Sequence, residues 1–306
     1  MEFSRLAKSS LYQAYTVWLF TRSDIKTIIA PSTFFAAVCS LSDSGFHKDG
    51  AAPTMLVLKR LPATTFWVWM NLLPFAIENQ RQSRSIMEDA HNKPWRPLPS
   101  NRLTKNQAMV LMILFYLLAI GSSHFVGGLT QCLALIVLGY WYNDLGGADR
   151  SCVIRNLING FGYICFTSGA LEVLTDRSII AMELGICCWI VIVGLVISTT
   201  VQAQDMPDQL GDNLRGRWTV PLVIGDRAAR YTIAVAVAAW SYICPKYWNI
   251  DSHGCTATFT LGVVVSVRYL FTRTMEADRI TFRVYNMWIV SLYLLPLMRP
   301  HGGVSH

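Results

Sequence analysis

Nine apolar segments recur along the chain, at roughly 26–44, 55–77, 107–126, 128–143, 152–172, 178–200, 219–245, 256–272 and 284–298. A helix needs about 20 apolar residues to cross the hydrocarbon core of a bilayer. In lipid every backbone polar group must be bonded inside the spanning structure, which leaves only helices and closed barrels. The alternating pattern of barrel strands is not visible, so the segments predict helices. The seventh is the least regular: Asp226, Arg227 and Arg230 interrupt it, which places the span proper near Tyr231. The expected fold is therefore all-α, a polytopic membrane protein with about nine transmembrane helices.

Composition agrees. Hydrophobic residues make up 53% of the 306 residues and charged residues 15%, where a soluble domain carries about 25% charged. With a mean hydropathy of +0.36, this excludes a disordered chain and an ordinary cytosolic enzyme. The net charge of +7 is distributed unevenly. With the N-terminus in the cytosol, nineteen Lys and Arg fall on the cytosolic side and six, Lys48 among them, on the other, with Arg268 inside a span. That is the asymmetry of the positive-inside rule. Residues 1–25 then form a cytosolic N-terminal segment. They mix charge with aromatics and do not read as a cleaved signal peptide. The eight cysteines form no C-x-x-C pair and lie mostly in apolar stretches, which suits packing rather than disulfides or metal. The whole chain, 1–306, reads as a single domain in the bilayer, with neither a nucleic-acid partner nor an obligate protein partner.

Two polar blocks follow the second and sixth apolar segments, four segments apart and both on the cytosolic side. Their recurrence suggests an internal duplication framing a central site. In the second block Asp205, Asp208 and Asp212 stand at i, i+3 and i+7, which on a helix puts three carboxylates on one face. Such a stack repels itself and loses hydration unless cations neutralise it. Mg²⁺, a hard ion that takes carboxylate and phosphate oxygens, is the natural partner. Arg215 and Arg217 follow, guanidinium forks suited to a diphosphate bridging them and the metal. The plainer alternative is a solvated acidic helix start. In the first block Ser85 and Asp89 stand at i and i+4 with Gln82 a turn earlier. Glu88 lies off that face on a regular helix, and Asn79 supplies an amide. Lys93 and Arg96 follow on a Pro-stiffened loop. Alone, that loop also suits contact with anionic lipid. Trp18, Phe66, Trp67, Trp69, Trp141, Tyr142, Phe161, Tyr163 and Trp189 are candidates for an aromatic interior able to stabilise carbocations, each with plain packing as the alternative. A metal–diphosphate head beside an apolar pocket describes a prenyl diphosphate substrate.

At these residues the chain resembles the UbiA superfamily of intramembrane prenyltransferases. Asn92-Lys93-Pro94-Trp95-Arg96-Pro97-Leu98-Pro99-Ser100, with Arg102, is similar to the sequence after that family's first Asp-rich motif. Asp205-x-x-Asp208-x-x-x-Asp212, followed by Gly216-Arg217, Thr219, Pro221 and Gly225, is similar to its second motif. The first motif departs from the family pattern N-D-x-x-D-x-x-x-D. Only Asp89 keeps its carboxylate, Ser85 and Gln82 stand at the other acid positions, Arg81 stands at the Asn, and Asn79-Gln80 is displaced by two residues. This altered block, with Tyr142-Asn143-Asp144-Leu145-Gly146-Gly147 and Arg155-Asn156, resembles a fungal branch of UbiA-type terpene cyclases of the fumagillin-pathway kind.

The resemblance implies a UbiA-like bundle around a central cavity. It implies Mg²⁺ at Asp89, Asp205, Asp208 and Asp212, with Glu88 as a further ligand. It also implies a diphosphate gripped by Lys93, Arg96, Arg215 and Arg217 and assisted by Lys26, Asn79, Ser85 and Tyr142. The expected reaction is ionisation of farnesyl diphosphate, or of geranylgeranyl diphosphate, and cyclisation of the cation. The alternative is transfer of the prenyl chain to an aromatic or polyketide acceptor. A transporter would place its acids at the midplane, whereas these lie at segment ends. The fungal resemblance implies the endoplasmic reticulum, with the site on the cytosolic side.

Overall fold

The computed structural model describes residues 2–42 and 52–299; Lys48 and the end of the first apolar segment, 43–44, lie outside them. The described residues form helices and no strands. In chain order these are α1 (Glu2–Thr21), α2 (Ala30–Leu41), α3 (Thr54–Arg81), α4 (Ser83–Asn92), α5 (Lys105–Val126), α6 (Leu129–Asn143) and α7 (Gly147–Arg150). They continue with α8 (Cys152–Thr175), α9 (Leu184–Thr200), α10 (Gln209–Arg215), α11 (Val220–Ile224), α12 (Asp226–Tyr247), α13 (Thr256–Phe271) and α14 (Met275–Tyr293).

Each of the nine apolar segments falls on a helix, but the ends move and the span count does not follow. Among the described residues, three helical stretches are long and apolar enough to cross a bilayer: Lys105–Val126, Cys152–Thr175 and Leu184–Gln204. Ser10–Thr21 and Ile25–Leu41 qualify together as a pair bent by 58°. Residues 1–25, expected as a bare cytosolic segment, thus contain a helix. α3, α12 and α14 are not among them, and each carries an acid or a guanidinium, Glu78, Arg230 and Asp278, that is buried and paired inside the protein. The seventh segment breaks at Gly225 (φ +89°), so its long helix starts at Asp226 rather than Tyr231. Arg230 does not disrupt that helix, since it reaches Asp226 and both Asp278 oxygens. α14 starts at Met275, nine residues before the apolar run at 284, with Thr274 capping the Ala277 amide.

The main core joins α2, α3, α8, α9, α12, α13 and α14 around Trp67, Trp189, Tyr269, Trp288 and Tyr293, all buried. Small residues set the approach. A Cβ on Gly169 or Gly128 would collide with the Trp67 ring, and one on Gly160 would strike Ser198 and the Gly194 carbonyl. Close backbone contact through Gly and Ser is how helices pack in lipid, where apolar burial between helices gives no advantage over the lipid tails. The outer face of α5 is apolar and exposed, with Val110, Ile113 and Leu117 more than half exposed, as a lipid-facing helix requires. All eight cysteines are free.

Candidate active site

The first polar block owes its shape to a break in the helix. At Gln82 the backbone turns extended (ψ 148°) between α3 and α4. Three side chains pin that break to neighbouring elements. Gln80 donates to the Phe20 carbonyl at 2.9 Å, Gln82 to the Asn143 carbonyl at 2.9 Å, and Arg81 to both Asp144 oxygens at 2.6 Å. The kink turns Asn79, Ser85, Glu88 and Asp89 toward one cavity. Glu88, expected off the face of a regular helix, therefore joins it. Gln82, expected on the face, is spent on the break. The loop after α4 folds back through Lys93 and Arg96, whose Nη1 donates to Asp89 Oδ1 at 2.7 Å.

The second block is not the continuous helix its spacing predicts. The α9 run passes into a 3₁₀ turn, Val201–Gln204, then a turn through Pro207, and only then α10. Proline lacks the N–H a helix interior needs. The winding is nonetheless kept, with Asp208 N donating to the Asp205 carbonyl (3.1 Å) and Asp212 N to the Asp208 carbonyl (3.0 Å). All three carboxylates consequently still line the cavity. α10 ends at Gly216 in the left-handed conformation (φ +78°), which delivers Arg217 back into the cavity.

The two walls touch. Gly211 of α10 sits where a Cβ would collide with the Asn92 side chain of α4. Glu88 crosses over, accepting from Arg215 (3.2 Å) and Arg217 (3.3 Å). Arg217 also reaches Asp212 (3.3 Å) and, with Arg215, Asp149. Arg155 of α8 clamps both Asp205 oxygens at 2.7 Å, and its neighbour Asn156 donates to Gln202 at 3.0 Å. Asp208 alone of the motif acids makes no ion pair among the described residues.

Burial, which acts in the opposite direction, is outweighed at Glu88 by Arg217 and Arg215, which hold its carboxyl below the usual range. At Asp205 burial prevails, pushing the carboxyl up to about 7 against the pull of Arg155 and with added repulsion from Asp212. Burial likewise raises Asp212 against Arg217 and Arg155. The surrounding acids keep Arg217 charged despite its burial.

The cavity encloses about 610 Å³. Asp89, Asp205, Asp208, Asp212, Glu88, Lys93, Arg96, Arg215, Arg217, Lys26, Asn79, Ser85 and Tyr142 all line it. Sequence reading named Arg155 only within the resemblance and gave it no role, and it missed Arg22, Asp24, Arg279, Phe282 and Arg283; all six line the cavity too, and Asp149 lies behind it. Tyr142 is also part of a narrow apolar pocket of about 50 Å³, lined with Phe75, Leu135, Tyr163 and Phe166. Of the nine aromatics proposed as lining, Tyr142 and Tyr163 are there. Trp67 and Trp189 are sealed in the core, Trp69 is packed on it, and Trp18, Phe66, Trp141 and Phe161 are exposed.

Oxygen donors of the kind Mg²⁺ prefers are present. Two buried carboxylate oxygens of cavity-lining residues, Asp89 Oδ2 and Asp212 Oδ2, have no hydrogen-bond partner among the described residues, and Asp208 has no ion-pair partner among them. No three acid, His or Cys side chains among the described residues are gathered closely enough to hold a metal by themselves, because guanidinium groups occupy the spaces between acids. A substrate oxygen would have to complete any coordination shell.

Residues 53–292 match the UbiA prenyltransferase family. The chain is 30% identical to fumagillin beta-trans-bergamotene synthase of Aspergillus fumigatus, over 92% of this chain and 91% of the relative. It is 26% identical to somaliensene A/B synthase of Streptomyces somaliensis, over 92% and 94%. It is 24% identical to the polyprenyl transferase eriF of Hericium erinaceus, over 92% and 94%. Among solved structures, a UbiA homolog from Archaeoglobus fulgidus bound to GPP and Mg²⁺ superposes with a TM-score of 0.59, over 92% of this chain and 99% of that chain. At 12% identity this likeness shows a shared fold.

Proposed function

Since this chain belongs to the UbiA prenyltransferase family, a family of integral membrane enzymes that use prenyl diphosphates, we propose that it is a Mg²⁺-dependent terpene cyclase. Farnesyl diphosphate is the first candidate substrate and geranylgeranyl diphosphate the second. The observation that carries the reading is the joining of both polar blocks at one charged cavity, which shares the wall residue Tyr142 with a small apolar pocket. The likeness to two terpene synthases, one fungal and one bacterial, favours cyclisation.

In this reading the diphosphate lies between the walls, where Lys93, Arg96, Arg215 and Arg217 offset the charge that grows as the C1–O bond breaks. Asp89, Asp205, Asp208 and Asp212 would hold Mg²⁺, which supplies further positive charge against the departing diphosphate. Arg155 orients Asp205. The aromatic faces of Tyr142, Tyr163 and Phe75 stabilise the allylic cation by about 0.5–2 kcal/mol each. A distal double bond then attacks the cation, a carbon–carbon bond forms, and a proton leaves to give a neutral hydrocarbon. The protein acts as a single domain of about nine spans in the endoplasmic reticulum, with N-terminus and site on the cytosolic side.

The test is incubation of the membrane-embedded protein with Mg²⁺ and farnesyl diphosphate and no acceptor. A cyclic hydrocarbon is expected. Product formed only when an aromatic acceptor is added would instead support prenyl transfer, the reading favoured by the likeness to a polyprenyl transferase.

A further inference from the structure

Neither polar block includes any residue of α14, and in sequence Arg279 and Arg283 count only as loop charges of the positive-inside pattern. The structure places both on helix, one turn apart, with Phe282 between them, and all three line the cavity. The platform that carries them is fixed. Asp278 is bound by Arg230 of α12 through two contacts of 2.7 Å. The Phe282 ring stacks on Tyr285 (centroids 5.7 Å, 14°), and the Tyr285 hydroxyl bonds Thr200 at 2.8 Å, just before the second block. The cavity's arginines and lysines differ in their partners, and Arg22, Lys26 and Lys93 of the earlier elements make no ion pair among the described residues. Arg96, Arg155, Arg215 and Arg217 are engaged by acids. Arg283 makes no ion pair among the described residues, and Arg279 has only Glu276, at 3.6 Å with both groups half exposed or more. A guanidinium that faces a cavity without an acid partner is free to take an incoming anion, whereas a paired one must first exchange its partner.

We propose that Arg283, supported by Arg279, forms a diphosphate-receiving wall on α14. It would set the affinity for the substrate's head group and for released inorganic diphosphate, and leave ionisation to the two polar blocks. The inference rests on the diphosphate reading of this site. The alternative source of the same chemistry is a lipid phosphate at the cytosolic edge of the bilayer.

The experiment titrates inorganic diphosphate into the protein in nanodiscs of neutral phosphatidylcholine with Mg²⁺, and repeats it with anionic lipid. Arg283→Gln should weaken binding about tenfold, as expected for losing a charge-assisted contact, and Arg279→Gln less. Arg283→Lys should recover part of the loss, because it keeps the charge without the fork. Arg273→Gln, which removes a nearby charge that does not line the cavity, should bind like the unaltered protein. In turnover the loss should appear as a raised KM for the prenyl diphosphate, and more weakly in kcat. Unaltered diphosphate affinity in Arg283→Gln overturns the inference, as does a defect seen only with anionic lipid. Failure of the unaltered protein itself to bind diphosphate overturns the diphosphate reading of the site, and this inference with it.

Discussion

The two walls of the cavity hold their acids in opposite ways. On α4, Asp89 is the lone acid left at the family's motif positions, tied to Arg96, and the neighbouring Glu88 is committed across the gap to Arg215 and Arg217. The second wall keeps three motif acids. Asp205 is clamped by Arg155, Asp212 is shared with Arg217, and Asp208 makes no ion pair among the described residues. The first wall is thus nearly neutral and structurally bonded to the second, while the second retains a carboxylate free to meet a cation. A site of this kind need not bind metal symmetrically. The wall with the unpaired acid should govern turnover, and the wall with the paired acid should tune metal demand.

The largest expected effect follows directly. Asp208→Ala and Asp205→Ala should each lower turnover by about a hundredfold or more, the scale seen when one charge-stabilising group is lost from an active site. Chelation with EDTA should stop the reaction and added Mg²⁺ restore it in the unaltered protein, but not in Asp208→Ala. Unaltered rates in either variant, at matched expression in membranes, would remove the metal role from the second wall. Asp89→Ala should behave differently, raising the Mg²⁺ requirement more than it lowers the maximal rate. Rescue of Asp208→Ala but not of Asp89→Ala in a Mg²⁺ titration would reverse the ranking of the walls.

The contact between the walls offers a second way to break the comparison. Gly211→Ala puts a methyl against Asn92 and should push α10 off α4, with a loss of about 1–3 kcal/mol typical of overpacking. Glu88→Gln keeps a hydrogen-bonding group but leaves two buried guanidinium groups short of an acid, and breaking a buried pair costs about 3–5 kcal/mol where no water replaces the lost charge. Both should lower the melting temperature and turnover together. If Glu88→Gln leaves the melting temperature unchanged while raising the Mg²⁺ requirement, then Glu88 acts as a metal ligand and not as a tie between the walls.

Much of this arrangement is legible in the sequence because it depends on local pattern. Apolar runs give helices, and the residues of both blocks lie close together in the chain, so their convergence follows from two segments. The kink at Gln82 is invisible, since nothing in Asn79-Gln80-Arg81-Gln82 breaks a helix by itself. Its cause is bonding to Phe20, Asn143 and Asp144, far away in the chain. The same holds for Asp149 and Arg283, and for the role of Arg155, single residues on α7, α14 and α8 that reach the site only through packing. Aromatic type failed as a guide because it does not say which way a helix face turns. Trp67 packs against two glycines and Phe161 points outward, while Tyr163, two residues on, lines the apolar pocket.

The basic loops separate more finely. Lys93, Arg96 and Arg217 each line the cavity, yet Arg96 and Arg217 have acid partners and Lys93 makes no ion pair among the described residues. Substituting Gln at any of them should weaken inhibition by inorganic diphosphate without loss of membrane association. Lys93→Gln should show the cleanest effect, as no buried acid is orphaned. Inhibition as tight as in the unaltered protein would assign these loops to the lipid surface.

The smallest effect concerns pH and tests the second wall from within. Burial raises the Asp205 carboxyl to about 7, with Arg155 pulling the other way. A carboxyl raised above its unfolded value binds its proton more readily in the folded protein, so folding stability from this group declines as pH rises from about 4 toward 7 and is level above. Turnover has the opposite sign. Protonation removes the charge that Arg155 grips and that opposes the metal, so activity should fall as pH drops through about 7, with an acid limb well above the ordinary carboxylate range. Glu88 on the first wall predicts no such limb, because Arg217 and Arg215 hold its carboxyl below the usual range against the pull of burial. Arg155→Lys replaces a two-point clamp with a single charge and should shift the acid limb upward by a fraction of a unit, since the carboxylate loses half of its direct support. An acid limb near 4 in the unaltered protein, unmoved in Arg155→Lys, would show that Asp205 is ionised throughout and that burial does not prevail over Arg155 there.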